Sequence, residues 1–261
     1  MSIQIRDMTE EDEWYVGTCT HVEEKNEEIE QCAQERITYF KHMNNFGLKI
    51  KVALFNDQHA GFIYLFPIEV SPREFQGKDL FFIPCLVAHS KFSGHNIGKA
   101  LIDEAENEAG KQNKDGIAIF AIDWDYWFMP VKYFIHLGFK IADRKDQELL
   151  LWKKFNKNAI PPQFIEENYS FTKINNKVVI DLFYNTFCQT SAIESKRVRS
   201  VVKEFGEKVI LNEFPSDDRT ICAKYGISRA IYINGKPLEL NAEIDKEILR
   251  EYIKSAIKSI D

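Results

Sequence analysis

The sequence has no apolar run of membrane-spanning length. Its opening stretch, MSIQIRDMTEEDEW, is charged within a few positions and lacks the apolar segment of a secretory leader. Cysteine is sparse. Cys19, Cys32, Cys85, Cys188 and Cys222 are scattered and odd in number, so neither a disulfide framework nor a zinc site is expected. These absences favour a reducing, cytoplasmic setting. Excess positive charge is missing too. Lys and Arg total 34 against 40 Asp and Glu, a net charge of −6, and no basic face argues for nucleic acid. Internal repeats and low-complexity segments are also absent. What is present is a 261-residue chain, 44% hydrophobic and 13% aromatic. That suffices to bury a core in one large domain or two ordinary ones.

The spacing of apolar residues predicts a mixed order of strands and helices. SIQIRDM is a first strand, and Thr9 with Asp12 makes a capping-box-like helix start. Ile29, Cys32, Ala33, Ile37 and Phe40 form a helical stripe closed near Gly47. Residues 48–57 and 61–70 pair as a hairpin, and 79–88 reads as one largely buried strand. Next comes a helix with the stripe Ile97, Leu101, Ala105, Ala109, ending at Gly110. Residues 116–123 are another buried strand, which favours a parallel crossover. A short helix over 129–137 and a strand over 147–155 follow. NKNAIPPQF, with Pro161 and Pro162, predicts a boundary between domains at 1–157 and 164–261, each with its own core. The pattern then restarts as β-α-β-α-β-β-α. Its elements are strand 177–184, helix 191–205, strand 208–214, helix 216–226 with Ser216 as N-cap, a hairpin at Asn234-Gly235, and helix 243–258.

Residues 89–110, HSKFSGHNIGKALIDEAENEAG, run from a polar loop into an amphipathic helix. The first N–H groups of a helix have no partner inside it and lie at its positive end. Gly94 and Gly98 carry no Cβ, so backbone can approach a ligand closely. Asn96 tolerates left-handed dihedrals. Such a loop suits a phosphate or pyrophosphate, although an ordinary strand–helix turn uses the same residue types.

On element order and two local motifs, residues 3–155 resemble the GNAT N-acetyltransferase superfamily. Members carry an Arg/Gln-x-x-Gly-x-Gly/Ala loop, which here reads Ser93-Gly94-His95-Asn96-Ile97-Gly98. The last Gly matches, Ser93 replaces Arg/Gln, and Asn96 replaces the first Gly. The second motif, an aromatic run ending in Gly-Phe, reads Tyr133-Phe134-Ile135-His136-Leu137-Gly138-Phe139, with Phe134 where a general-acid Tyr often stands. The resemblance implies a mixed sheet flanked by helices, with acetyl-coenzyme A as cosubstrate and a small-molecule or peptide amine as acceptor. It places the pyrophosphate on the amides of Gly94, His95, Asn96, Ile97, Gly98 and Lys99, with Ser93 and Phe134 among the cofactor-binding residues. It places the pantetheine arm along Leu86 and Val87. No metal, nucleic acid or membrane enters this picture.

Acetyl transfer to an amine needs a base, a polarised carbonyl and an acid for the departing sulfur. Asp123 and Asp125 are the candidate bases, with Asp79 as another carboxylate. Tyr133 and Tyr126 are the candidate hydroxyls. Trp124, Tyr126, Trp127 and Phe128 either pack a core or wall an amine pocket. The acidic run around Glu10–Glu13 and Glu23–Glu30 reads as a solvated face, or as a border favouring a cationic amine.

The C-terminal part resembles the thioredoxin/glutaredoxin fold, and the pairing with a GNAT domain resembles proteins carrying a YoaP-like tail. Cys188 takes the first active-site position at a helix start, where a thiolate is favoured. The pattern is Cys188-Gln189-Thr190-Ser191, so Ser191 replaces the resolving Cys. Ser228-Arg229-Ala230 stands where the family has its cis-Pro. The resemblance leaves three readings: an N-acetyltransferase, a CoA-binding protein without turnover, and a monothiol redox or binding protein, with a second copy of the chain as a partner.

Overall fold

The computed structural model describes residues 2–124, 128–239 and 243–260. Its contacts divide into two compact units. One comprises residues 1–22, 40–71 and 75–164, and the other 23–39, 72–74 and 165–261. Among the described residues no helix is long and apolar enough to cross a membrane.

The first unit opens with β1 (Ile3–Asp7) and the short helix α1 (Glu13–Thr18). As the capping pattern predicts, Asp12 accepts the Thr9 N–H at 2.7 Å. It also binds Arg6 through both carboxylate oxygens and His59 Nε2 at 2.7 Å. Burial raises the Asp12 pKa, but Arg6, Thr9 and His59 outweigh it and hold the carboxyl well below its usual range. Helix α2 (Glu27–Asn44) is divided, residues 27–39 belonging to the second unit and 40–44 to the first. Strands β2 (Lys49–Phe55) and β3 (Gln58–Pro67) form the predicted hairpin, turning at Asn56-Asp57 with both residues at positive φ.

Residues 79–88 depart from the sequence expectation, because they form two strands. After β4 (Phe75–Gln76), β5 (Leu80–Ile83) stops at Pro84, and β6 (Leu86–Ala88) begins beyond Cys85. Pro84 has no N–H to give a ladder. On β3, Phe66 pairs with Phe82 but Ile63 pairs with Leu86. Three residues therefore oppose two, which is a bulge that bends the strand.

Helix α3 (Ile97–Lys111) follows, then β7 (Gly116–Ile122), α4 (Val131–His136), and the hairpin β8 (Lys140–Lys145) and β9 (Glu148–Lys154). The helix runs past Gly110, and Asn113 rather than Gly110 takes the left-handed conformation beyond it. The sheet order is β1-β2-β3-β5-β7-β9-β8, with β6 on β3 alone. All pairs are antiparallel except β5 and β7, which are parallel as the crossover predicts. Both faces of β7 are buried. Ile117, Ile119 and Ala121 pack toward α3, while Ala118 and Phe120 pack with Phe75, Phe82 and Leu150. Each large apolar side chain so buried contributes about 1.5–3 kcal/mol. Lys51 pins α3 from beneath, reaching Asp7 at 2.8 Å and Glu108 at 2.9 Å.

The longest segment of the second unit begins after β10 (Gln163–Phe164), which pairs with β4 within the first unit. It contains β11 (Val178–Tyr184), α5 (Gln189–Glu204), β12 (Val209–Pro215), α6 (Arg219–Tyr225), β13 (Ala230–Ile233), β14 (Lys236–Pro237) and α7 (Lys246–Lys258). Its strand order is β12-β11-β13-β14. β11 is parallel to β12 and antiparallel to β13. Asn234 and Gly235 make the predicted tight turn, both at positive φ. Ser216 is not the N-cap of α6. Asp218 caps it through the Thr220 N–H, and the Ser216 hydroxyl donates to the Ser228 carbonyl at 2.7 Å.

The early part of α2 belongs to this second core. Ile29 and Cys32 pack on Ala192 and Ile193 of α5, Gln189 donates to the Ile29 carbonyl at 3.1 Å, and Arg197 binds Glu28. Part of the acidic run is thus spent on ion pairs. A fragment ending at residue 157 leaves the Ile29–Cys32 stripe uncovered. It is expected to bind a hydrophobic dye and to melt below the full chain. A fragment as dye-silent and as cooperative as the full chain would show that the first 157 residues complete their own core.

Candidate functional site

The bulge at Pro84-Cys85 opens the sheet. β5 pairs with β7 only as far as Ile83 opposite Ile119. Beyond that point β7 continues to Ile122 on β9, while β6 has turned to β3. The backbone of β6 follows from antiparallel alternation. His89 N–H donates to the Ala60 carbonyl, so in register Val87 exchanges its bonds with Phe62 of β3. The backbone groups of Leu86 and Ala88 turn to the open side. Of the two residues assigned to a pantetheine arm, Leu86 offers its backbone there and Val87 does not. Ala88 was missed by sequence reading, although strand alternation alone identifies it once Val87 is paired.

Gly61 lets α3 lie directly on this region. A Cβ there would meet the Val87 carbonyl oxygen at 2.5 Å and Ile97 at 3.1 Å. The loop before α3 turns through Gly94 at φ +81 and Asn96 at φ 57, the left-handed geometry that Asn tolerates. The first helical bond is from the Ala100 N–H to the Asn96 carbonyl at 3.0 Å. Among the described residues, the N–H groups of Gly94, Asn96, Ile97, Gly98 and Lys99 have no protein acceptor, so they are available at the positive end of the helix. The His95 N–H is the exception and donates to the Phe92 carbonyl at 3.3 Å.

The side chains sort differently. His95 is half-buried, its ring edge-on to Phe55 at 4.4 Å and its Nδ1 donating to the Ser93 carbonyl at 3.1 Å. Lys99 is exposed and paired with Asp103 at 2.5 Å, as a solvated surface lysine would be. Ser93 is exposed, and Ile97 is buried in the core.

Tyr133 comes to this loop from α4. Its hydroxyl lies 2.8 Å from where a Cβ on residue 98 would stand, and Leu86 Cδ2 lies 3.6 Å from the same point. Leu86, Gly98 and Tyr133 therefore converge at the mouth of the opening. No protein group among the described residues hydrogen-bonds the Tyr133 hydroxyl. Burial, and then the Asp103 carboxylate, push its pKa up, so it holds its proton at neutral pH. Phe134 is buried at 1% exposure, its ring edge-on to Tyr133 at 5.2 Å. It supports Tyr133 from the core and presents no surface of its own.

The candidate carboxylates stand apart. Asp123 binds Arg144 of β8 at 2.9 Å, and its N–H goes to the Gln147 carbonyl. Asp79 lies before β5, at the end of that strand away from the opening, and its N–H donates to Glu69. Asp125, Tyr126 and Trp127 lie outside the described residues.

A scan against protein-family models and a search of curated proteins find no match. Solved structures do match the first part of the chain. The PaiA N-acetyltransferase from Thermoplasma acidophilum in complex with coenzyme A is 20% identical, over 59% of this chain and 100% of that one, with a TM-score of 0.43. PH1933 from Pyrococcus horikoshii is 21% identical, over 59% and 99%, with a TM-score of 0.46. A GNAT family acetyltransferase from Brucella melitensis in complex with acetyl-CoA is 16% identical, over 59% and 89%, with a TM-score of 0.40.

The contact between residue 98 and Tyr133 is directly testable. Gly98→Ala is expected to cost about 1 kcal/mol by crowding the hydroxyl, and Tyr133→Phe in the same chain is expected to recover part of it. Additive losses in a denaturation double-mutant cycle would show that the hydroxyl does not lie against residue 98.

Proposed function

We propose that the first unit is an acetyl-CoA-dependent N-acetyltransferase acting on an amine. The observation that carries this reading is the opening between β6 and β7, with five unpartnered loop amides and a proton-bearing tyrosine at its mouth. These residues fit the cosubstrate. The amides of Gly94, Asn96, Ile97, Gly98 and Lys99 suit a pyrophosphate, the missing Cβ of Gly98 keeps that approach clear, and Leu86 and Ala88 offer main-chain bonds along the arm. The bound cosubstrate supplies an acetyl group activated as a thioester.

The chain supplies the rest. The loop amides fix the charged end. Backbone groups on the open edge of β6 align the arm with the opening. Tyr133 holds its proton for the departing sulfur, a role worth about 10²–10⁴ in rate. The Arg144 ion pair engages the Asp123 carboxylate, which leaves the amine's proton to Asp125 or to water. Val87 and Phe134 act by pairing and packing.

For the second unit, the order β12-β11-β13-β14 with one parallel pair supports the thioredoxin-like reading, which places Cys188 at the start of α5. Ser191 Oγ accepts the Asn185 N–H at 3.0 Å and so serves the turn instead of resolving a disulfide. We read this unit as a separate module that leaves the transfer chemistry to the first.

The test is acetyl-CoA consumption against a panel of amines, with CoA binding followed by calorimetry. Gly98→Asp is expected to abolish binding, because it sets a Cβ and a negative charge beside the amides. Tyr133→Phe should lower kcat about 10²-fold or more with CoA affinity kept, and Cys188→Ser should leave both near wild type. CoA binding without turnover on any amine would favour the binding-protein reading. Loss of transfer in Cys188→Ser would put the second unit in the chemistry.

A further inference from the structure

Helix α7 carries two apolar stripes, and the chain covers one of them. Leu249 and Ile253 are buried in the core of the second unit, where α7 packs on β11 and β13. Arg250 binds Glu204 of α5, so α5 lies on one flank of the helix. On the opposite flank stand Ile248 and Tyr252, one turn apart and 55% and 50% exposed. Ser255 and Ser259 continue the same line and are exposed as well. Isolated exposed apolar residues are common and call for no partner. This line differs because its spacing is regular.

Positions 248, 252, 255 and 259 are separated by four, three and four residues, the a/d spacing of a helix–helix seam. Tyr252 and Ser259 take a positions, and Ile248 and Ser255 take d positions. The flanking e positions are then Leu249 and Ala256, both packed in the unit's own core. The g positions are Glu251 and Lys258, both exposed. The seam is bulky in its first half and small in its second. A parallel second copy would set Tyr252 against Tyr252 and serine against serine, and would bring no charge opposite Glu251. An antiparallel copy sets Tyr252 opposite Ser255 and Ile248 opposite Ser259, so each layer pairs a large side chain with a small one. The g positions then face each other, and Glu251 of each copy meets Lys258 of the other across a twofold axis. Within one copy Glu251 pairs with Lys254 at 2.8 Å, both side chains being exposed. Such a pair is weak and leaves the carboxylate able to take a second cation. The edge strand beyond β13 does not compete for a second copy, because β14 is two residues long and ends at Pro237, which has no N–H for a ladder.

We propose that α7 is the interface of a twofold homodimer, an antiparallel helix pair anchored by Ile248 and Tyr252 and clamped by Glu251 and Lys258. The helix has 13 residues, a length of about 20 Å, so the seam is small and the dimer forms and parts with concentration. Sedimentation equilibrium of the full chain from about 1 μM to about 1 mM tests this. The mass is expected to rise from 30.5 kDa toward twice that value, and Tyr252→Ser should remove the rise. Glu251→Lys and Lys258→Glu should each weaken association about tenfold, since each turns two ion pairs into two repulsions. The double variant should regain wild-type association, because it restores both pairs with their signs exchanged. A monomer throughout the range overturns the proposal. So does a dimer that Tyr252→Ser leaves intact, which would place the interface elsewhere. A double variant no tighter than the single ones overturns the antiparallel register. A measurement on the wild type stands apart from the folding of any variant. Carbodiimide treatment of mixed heavy-nitrogen and unlabelled chains, at a concentration where the mass has risen, should join Glu251 of one copy to Lys258 of the other; cross-links at this pair confined to single chains also overturn the proposal.

Discussion

The first unit depends on a ladder that cannot continue. Pro84 has no N–H, and one extra residue between the paired positions of β5 and β6 bends the chain from β7 onto β3. Neither half of the strand is wasted. β5 stays in the sheet as the parallel partner of β7, and β6 carries the chain to the loop before α3. The opening, the free backbone of Leu86 and Ala88, and the place where α3 starts all follow from that bend. Gly61 then lets the helix settle close enough for its first amides to border the opening, while Lys51, held by Asp7 and Glu108, fixes the far side of the helix.

The second unit is built on a different constraint, the satisfaction of a buried polar turn. Residues 185–188 alternate between buried and half-buried, and side chains from α2, α5 and the loop after β12 supply partners for their backbone groups. This explains why the early turns of α2 belong with a core formed by residues more than a hundred positions later. The buried Arg36 of α2 donates to a carbonyl of this turn, and the buried Gln189 of α5 donates in return to the Ile29 carbonyl on α2.

Much of this was legible in the sequence. Periodicity located the hairpin of β2 and β3, the stripe of α3, and the Asn234-Gly235 turn, because each depends on local spacing or local dihedrals. Asn96 was legible for the same reason. The split of residues 79–88 was not, although Pro84 inside an otherwise apolar strand was its signal. The role of Phe134 was misplaced because a motif position does not say which way a side chain faces; one residue earlier, Tyr133 points to the loop and Phe134 to the core. Asp123 looked like a poised carboxylate only because Arg144, its partner, lies on a strand distant in sequence. The attachment of α2 to the second core left no local trace, since Ile29 and Cys32 read equally well against any apolar surface.

The central claim is that the opening beside β6 and the loop amides together form one binding site for coenzyme A. Residue-resolved hydrogen exchange of the full chain, with and without coenzyme A, tests it most directly. The account predicts slowed exchange at Gly94, Asn96, Ile97, Gly98 and Lys99, joined by Leu86 and Ala88 on the open edge of β6, with Val87 unchanged because its amide is already bonded to β3. Protection that falls elsewhere, or coenzyme A binding that leaves these amides unaltered, would contradict it.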